Sequence, residues 1–210
     1  LDPNLGNLNA RQATNLYGNN GDNAAQAVDT LTSIENLRGS AGSDYLLGSD
    51  DANVINGDTG DDFIEGGAGG DTITGGAGTD VLTGGAGGDD FLIGDGDTGI
   101  TVADADHITD FVTGVDKLAL GTAGDPTGGT GNYVEAGNAV GDFDLALQVA
   151  NNFLNNLVET TESSTEIYAF TFDLNDGYLF EDTDVDGTAD QVIVLTGLGG
   201  AGLGVGLEAA

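Results

Sequence analysis

The chain is 210 residues long, enough for one or two small domains, and its 36 acidic against 3 basic residues give a formal net charge of −33. Such a charge disfavours nucleic acid and anionic membranes as partners and favours cations. Cysteine is absent, which excludes disulfides and thiolate metal sites. No run of about 18 apolar residues occurs, so we expect no membrane span. Bound metal ions would supply the stability that disulfides do not.

Residues 1–29 are rich in asparagine, alanine and glycine, and we expect an irregular N-terminal segment there. Leu1 is not an initiator methionine and no signal peptide follows it. We therefore expect the chain to be the C-terminal part of a longer protein or a processed product. A second segment, residues 30–120, begins with an apolar pattern at Leu31, Ile34 and Leu37 that predicts a strand.

Six consecutive nine-residue units fill residues 39–92 without an insertion. They read GSAGSDYLL, GSDDANVIN, GDTGDDFIE, GGAGGDTIT, GGAGTDVLT and GGAGGDDFL. Position 1 is always glycine, and position 8 is always a large apolar residue. Position 6 carries Asp44, Asn53, Asp62, Asp71, Asp80 and Asp89. A fixed period of this kind predicts a solenoid, because each unit buries its apolar face only by stacking on its neighbours.

Each position of the unit has a physical reason. Glycines at positions 1, 2 and 4 allow tight turns and let backbone carbonyl oxygens converge, and the position-6 carboxylate adds charge at that point. Oxygen ligands of this kind suit Ca²⁺. The candidate carbonyl ligands are Gly57, Gly66, Gly69, Gly75, Gly78, Gly84 and Gly87. A flexible glycine-rich linker is the alternative, but it has no reason to keep an apolar residue at every position 8.

The pattern GGxGxDxUx, in which U is a large apolar residue, resembles the RTX (repeat-in-toxin, or hemolysin-type calcium-binding) nonapeptide. The resemblance implies a parallel β-roll in which two units make one coil and Ca²⁺ lies between loops n and n+2. Carried onto this chain, it implies four ions, held by Asp44 with Asp62, Asn53 with Asp71, Asp62 with Asp80 and Asp71 with Asp89. Four ions would leave a net charge of about −25. The second unit departs from the pattern at Asp51 and Asn53.

Two acidic segments follow the repeats. The sequence GDGDTG, residues 94–99, matches a phosphate-binding pattern, but Asp95 and Asp97 would repel phosphate and better suit a cation. Residues 104–120, DADHITDFVTGVDKLAL, resemble the segment that closes the roll in serralysin-type C-terminal domains. We expect a cap of the apolar core built from Ile108, Phe111, Val115, Leu118 and Leu120. We also expect one more Ca²⁺ on Asp104, Asp106 and Asp110.

The third segment, residues 121–210, begins with a loop and continues with an amphipathic pattern over residues 142–158 that predicts a helix with Asp142 as N-cap. Strands are predicted at 167–172, 178–180 and 191–195. Between the last two, Asp182, Asp184, Asp186 and Asp190 resemble an EF-hand loop without its final glutamate, so the loop holds either Ca²⁺ or an acidic turn. The small apolar tail is a possible type I secretion signal, as the RTX resemblance implies.

The predicted fold is therefore all-β: a parallel β-roll with a C-terminal capping β-region and one packing α-helix. His107 is the single histidine and HExxH is absent, so we expect no enzyme. The predicted function is a secreted Ca²⁺-binding structural module that folds outside the cell and mediates cell-surface assembly as an S-layer, adhesin or filament. Its expected partners are calcium ions, other copies or cell-surface components, and the type I secretion machinery. The alternative is the non-catalytic C-terminal domain of a type I secreted enzyme, such as a serralysin-type protease or a lipase.

Overall fold

A computed structural model describes residues 13–14, 35–120, 133–158, 167–199 and 207–209, with only the backbone described for 13–14, 133–134 and 207–209. The strands through the repeats are β1 (Ala13–Thr14), β2 (Asn36–Arg38), β3 (Tyr45–Leu47), β4 (Val54–Thr59), β5 (Phe63–Ala68), β6 (Thr72–Ala77), β7 (Val81–Ala86) and β8 (Asp90–Ile93). The later elements are β9 (Asp106–Ile108), β10 (Lys117–Leu120), β11 (Tyr133–Glu135), α1 (Phe143–Val158), β12 (Ile167–Phe172), β13 (Gly177–Asp182), β14 (Gln191–Leu195) and β15 (Leu207–Ala209).

The repeats form a roll of two parallel sheets. From β2 to β10, consecutive strands alternate between the two sheets. Sheet A has the order β1-β2-β4-β6-β8-β10-β15, and sheet B has the order β11-β12-β13-β14-β9-β7-β5-β3. Each strand pairs with the strand two units later, so that Ile55 lies beside Ile73 and Ile64 beside Leu82. One coil therefore contains two units, as the RTX resemblance implied.

The apolar side chains at position 8 point between the two sheets. From Leu46 to Phe91 none of them is more than 3% exposed. Their neighbours at position 7 point outward, and Tyr45 stacks on Phe63 across the outer face of sheet B. This alternation follows from the two-residue period of a strand, which sends successive side chains to opposite faces. The six large side chains thus form one continuous column of core.

Residues 104–120 extend the roll by a further coil. Strand β9 pairs with β7 in sheet B, and β10 pairs with β8 in sheet A. Ile108, Phe111 and the leucines of β10 are buried in the roll core. Val115 is 49% exposed, so its predicted place in the cap is wrong. Its turn lies outside the core because a bridge from Thr113 to Asp116 closes the turn before β10 begins.

The C-terminal region continues sheet B. Strand β14 lies parallel to β9, β13 and β12 follow antiparallel, and β11 adds to β12. Inward side chains such as Phe170 and Leu179 join the roll core. The helix α1 covers the opposite face with Ala146, Ala150 and Leu154. The predicted all-β fold with one packing helix is confirmed.

Several predictions from the sequence concern residues that the structure describes only in part. In residues 1–29 it describes Ala13–Thr14 alone, as a short strand parallel to β2. Leu31 and Ile34 lie outside the described residues, as does most of the tail. Residues 207–209 of the tail pair with β10. The division of the chain at residues 29 and 120, and the secretion signal, stay predictions.

Candidate metal centre

The position-6 side chains stack in two rows, one along each side of the roll. Row B contains Asp44, Asp62, Asp80 and Asp106, and row A contains Asn53, Asp71, Asp89 and Asp116. Every member is no more than 5% exposed. Asp106 and Asp116 belong to the rows although they lie outside the nine-residue units, because β9 and β10 continue the same register.

Hydrogen bonds join each row lengthwise. The backbone N–H of Asp62 donates to Oδ1 of Asp80 at 2.8 Å, and the N–H of Asp80 donates to Oδ1 of Asp106 at 2.9 Å. Row A repeats the pattern, from the N–H of Asp71 to Oδ1 of Asp89 at 2.8 Å. One oxygen of each such carboxylate is therefore committed to the neighbouring coil.

The second oxygen of these carboxylates is buried without a donor. Among the described residues, no hydrogen-bond partner contacts the oxygens Asp44 Oδ1, Asp62 Oδ2, Asp71 Oδ2, Asp80 Oδ2, Asp89 Oδ2 and Asp106 Oδ2. A buried polar atom without a partner costs about 1–3 kcal/mol, and more when it is charged. Five of these atoms, the Oδ2 oxygens from Asp62 to Asp106, occupy equivalent places and point to a partner of positive charge, whereas Oδ2 of Asp44 accepts from the N–H of Ser40 at 2.6 Å.

A glycine at position 1 keeps the space beside the Oδ2 oxygens of Asp62, Asp71, Asp80 and Asp89 open. A Cβ added to Gly57 would lie 2.1 Å from Asp62 Oδ2 and 2.5 Å from the carbonyl oxygen of Gly75. At Gly66 the corresponding distances are 2.4 Å to Asp71 Oδ2 and 2.5 Å to the carbonyl oxygen of Gly84. A carboxylate oxygen and a carbonyl oxygen from the next coil thus border one space that any larger residue would fill.

The glycines at position 4 determine the backbone conformation of the turns. Gly69, Gly78 and Gly87 have φ values of +106°, +148° and +155°. A Cβ on Gly87 would lie 1.5 Å from the carbonyl oxygen of Gly69, in the coil before it. These glycines are required because the backbone must turn through positive φ and stack closely on the next turn.

Burial dominates the electrostatics of the rows. It raises the pKa of Asp62 to about 6, that of Asp80 to about 7 and that of Asp106 to about 8, and neighbouring carboxylates add to the rise. The pKa values of Asp71 and Asp89 are also raised by burial. Without a cation, the folded roll therefore favours protonated carboxyl groups.

The oxygen atoms available as metal ligands fit Ca²⁺. All the atoms that border the spaces described above are carboxylate or carbonyl oxygens, which are the ligands that hard cations such as Ca²⁺ take. Zinc and the softer metals prefer imidazole and thiolate, and the rows contain neither. The residues that the RTX resemblance proposed are thus brought together in the expected pairs, two units apart.

Asp116 was missed by the sequence analysis. Its Oδ1 accepts from the N–H of Asp89 at 3.0 Å, and its Oδ2 accepts from the N–H of Val112 at 2.7 Å. Both oxygens are therefore occupied, and the residue ends row A with hydrogen bonds. The sequence does contain a signal for this role, because Asp116 precedes Leu118 by two residues, which is the spacing between positions 6 and 8 of the repeat.

The other predicted ligands between residues 94 and 110 are dispersed. Asp95 is exposed, and Oδ2 of Asp97 accepts from the N–H of Gly94 at 2.8 Å. Asp104 accepts from the hydroxyl of Thr101. Asp110 accepts from the N–H groups of two consecutive glycines, Gly84 and Gly85. The structure does not bring Asp104, Asp106 and Asp110 to one point. Asp106 lies in row B, and Asp110 contacts the backbone at the start of the sixth unit.

The loop between β13 and β14 does bring carboxylates together. Ligand oxygens of Asp182, Asp184 and Asp190 lie within 4.8 Å of one another, the one such group of three in the described part of the chain. Asp182 is buried, and its oxygens accept from the N–H groups of Asp186 and Gly187. Asp186 itself accepts from Thr188. The loop therefore fits an acidic turn closed by its own amides, and metal binding there stays a prediction.

Comparison with known proteins agrees with the geometry of the rows. Residues 30–64, 56–91 and 65–100 match the family model of the RTX calcium-binding nonapeptide repeat (4 copies). The repeat region of this chain therefore belongs to the RTX calcium-binding repeats. The model describes a calcium-binding module and not a catalytic domain, and such repeats are typical of secreted, extracellular proteins.

Solved structures with a similar fold include two subunits of the mannuronan C5-epimerase of Azotobacter vinelandii, AlgE6R3 and AlgE6R2. The first is 25% identical, covers 76% of this chain and 73% of its own, and has a TM-score of 0.46. The second is 26% identical, covers 76% of this chain and 83% of its own, and has a TM-score of 0.47. No curated protein matches the chain significantly. In the part of the chain that the structure describes, no helix is both long and apolar enough to cross a bilayer.

Proposed function

We propose that the roll is a calcium-dependent folding module of a secreted protein, and that the folded form takes part in assembly at the cell surface. The observation that carries the proposal is the set of six buried carboxylate oxygens without a donor in the described structure, five of which repeat at equivalent places in the two rows. The net charge of −33 adds to it, because the chain repels itself until cations are present.

The residues that would hold the ions are the row carboxylates and the position-1 glycines. Asp62, Asp71, Asp80 and Asp89 each provide one oxygen, and the carbonyl groups of Gly75 and Gly84 provide others. Asp106 extends row B, so we include it in the set. When bound, Ca²⁺ supplies positive charge that neutralises buried carboxylates on neighbouring coils.

The chain itself does the rest of the work. The row hydrogen bonds align each carboxylate on the coil before it, and the position-8 column excludes water from the space between the sheets. Where calcium is scarce, as in the cytosol, carboxylate repulsion keeps the repeats unfolded and fit for export. Where calcium is abundant, the coils close.

Asp80→Asn tests the ion sites, because the change replaces one buried charge by an amide of the same shape. Native mass spectrometry should count one Ca²⁺ fewer than in the unaltered protein. In chelator the same variant should unfold at a higher temperature, because a buried unpaired charge has been removed. Asp50→Asn, on an exposed turn, is the control and should change neither quantity. An unchanged ion count in Asp80→Asn would contradict the proposal.

Light scattering on addition of calcium tests the assembly role separately. Growth from monomers to ordered particles is the expected result. A folded monomer at every calcium concentration would contradict assembly and favour the alternative, a non-catalytic folding and secretion domain of a secreted enzyme. Sequence upstream of residue 1 also decides between the two, since an HExxH or GxSxG segment there would indicate a catalytic domain.

A further inference from the structure

The second unit of the roll differs from the others in its chemistry. Asn53 occupies position 6, and its side chain is held by Ser49 at position 2. Oδ1 of Asn53 accepts from the N–H of Ser49 at 2.6 Å and from the Ser49 hydroxyl at 3.3 Å. The same hydroxyl lies 3.3 Å from Nδ2 of Asn53 and accepts from the N–H of Asp51 at 3.2 Å. The turn is therefore closed by its own hydrogen bonds.

The next two members of row A lack this arrangement. Asp71 and Asp89 each have a buried Oδ2 without a donor in the described part of the chain. Position 2 of their units is Gly67 or Gly85, which has no side chain to donate. These two turns contain an uncompensated negative charge, whereas the turn at Asn53 contains a neutral amide with its carbonyl oxygen satisfied.

The backbone around Asn53 keeps the row contacts of the other units but not all of their dihedral angles, because Ser49 and Asp51 lack the positive φ found at positions 2 and 4 of the fourth to sixth units. A Cβ on Gly48 would lie 1.9 Å from the carbonyl oxygen of Gly66 and 2.4 Å from Oδ1 of Asn53. The N–H of Asn53 donates to Oδ1 of Asp71 at 2.7 Å, which is the row hydrogen bond found elsewhere. The neutral side chain at position 6, the donors of Ser49 and the φ angles at positions 2 and 4 distinguish this turn from those of the fourth and sixth units.

From these contacts we propose that the second unit is a metal-independent member of row A, in which the Ser49–Asn53 hydrogen bonds replace a calcium ion. The inference rests on the proposed calcium binding of the other units. It assigns Asn53 and Ser49 as the residues that determine which turns of the roll take an ion. The repeat at this end of row A therefore closes before calcium is available.

A gain-of-site experiment follows directly. The double variant Ser49→Gly with Asn53→Asp restores, at positions 2 and 6, the residues found in the fourth and sixth units. Native mass spectrometry of the full chain in calcium should show one more bound Ca²⁺ than in the unaltered protein. Asn56→Asp is the matched control, because it adds the same charge in the same nine-residue unit outside the row, and it should leave the count unchanged.

The opposite substitution keeps the test decisive if the double variant does not fold. Asn53→Ala removes the side-chain oxygen, and the ion count should stay that of the unaltered protein while the melting temperature falls. Loss of one ion in Asn53→Ala, or an unchanged count in a folded double variant, would overturn the inference. An unaltered protein that binds no calcium at all would instead overturn the proposed function, so the two failures are distinguishable.

Discussion

The roll and the C-terminal strands share one sheet and one core, but the row aspartates of the roll and Asp173 of the C-terminal region differ in how their buried carboxylates are satisfied. In the roll, five carboxylates from Asp62 to Asp106 each leave one oxygen without a donor in the described structure. In the C-terminal region, Asp173 accepts from the N–H groups of Asn175 and Asp176 and from the hydroxyl of Tyr178. The first arrangement leaves carboxylate oxygens that a bound cation would compensate, as the proposed function requires, and the second is complete without one.

Chelation should therefore separate the two regions, and this is the largest effect that we expect. With calcium removed, amide hydrogen exchange should rise strongly across residues 54–92, because like charges then repel along both rows. Residues 167–195 should keep most of their protection, because large apolar side chains and local hydrogen bonds hold them. Hydrogen exchange followed by mass spectrometry measures both. An equal loss of amide protection in both regions would show that the comparison is wrong.

The pH dependence should sharpen the same comparison in the metal-free protein. The folded-state pKa values of Asp62, Asp80 and Asp106 are about 6, 7 and 8, above the value of about 3.8 for an unperturbed aspartate. The folded roll therefore binds more protons than the unfolded chain, and its stability is greatest at low pH and falls as pH rises from about 4 to about 8. In chelator, circular dichroism should show more β structure at pH 5 than at pH 8. An opposite trend would contradict the burial of these groups.

The stacking of the turns should be sensitive to a single methyl group. Gly69→Ala places a Cβ 2.7 Å from the backbone nitrogen of Ala52 at a φ of +106°. We therefore expect the free energy of unfolding, measured in the presence of calcium, to fall by about 1–3 kcal/mol. Gly42→Ala is the matched control, because it also occupies position 4 but a Cβ there meets nothing within 4 Å. Thermal unfolding of both variants is the measurement. Equal melting temperatures would show that the close contact between turns is unimportant.

The smallest effect should come from the C-terminal region. Burial alone would raise the pKa of Asp173, but the hydrogen bonds from Asp176, Asn175 and Tyr178 lower it overall. Tyr178→Phe removes one of them and should cost about 1–2 kcal/mol above pH 5. The cost should shrink as pH falls, because the contribution of a carboxylate with a lowered pKa is lost on protonation. Denaturant unfolding measures it, and a cost that depends on calcium would argue against an independent C-terminal network.

The repeating part of the fold could be predicted from the sequence because its period is strict. Glycine at position 1 and an apolar residue at position 8 predicted the solenoid and its core column, and the RTX resemblance implied the two-unit coil and the row pairs. The helix and the three strands after it were also predicted, since their apolar periods are long enough to be recognised. Asp142 is the N-cap of this helix, as predicted, because its Oδ1 accepts from the N–H of Leu145.

The coil formed by β9 and β10 could not be placed from the period. Its row members follow their predecessors by 26 and 27 residues rather than 18. The loop of residues 94–105 breaks the count, so only the structure shows that Asp106 and Asp116 continue rows B and A. The roles of Asp110 and Val115 were likewise invisible, because they depend on which backbone amides and which core face each turn meets.

The lengthwise hydrogen bonds of the rows have a consequence for how binding events communicate. Each row carboxylate contacts the coil before it, and each row skips every second unit of the sequence. Occupancy at Asp80 therefore orders the turns of Asp62 and Asp106, while Asp71, nearer in sequence, belongs to the other side of the roll. Calcium binding should be cooperative within a row and close to additive between the two, so that the roll behaves as a pair of parallel columns with separate transitions.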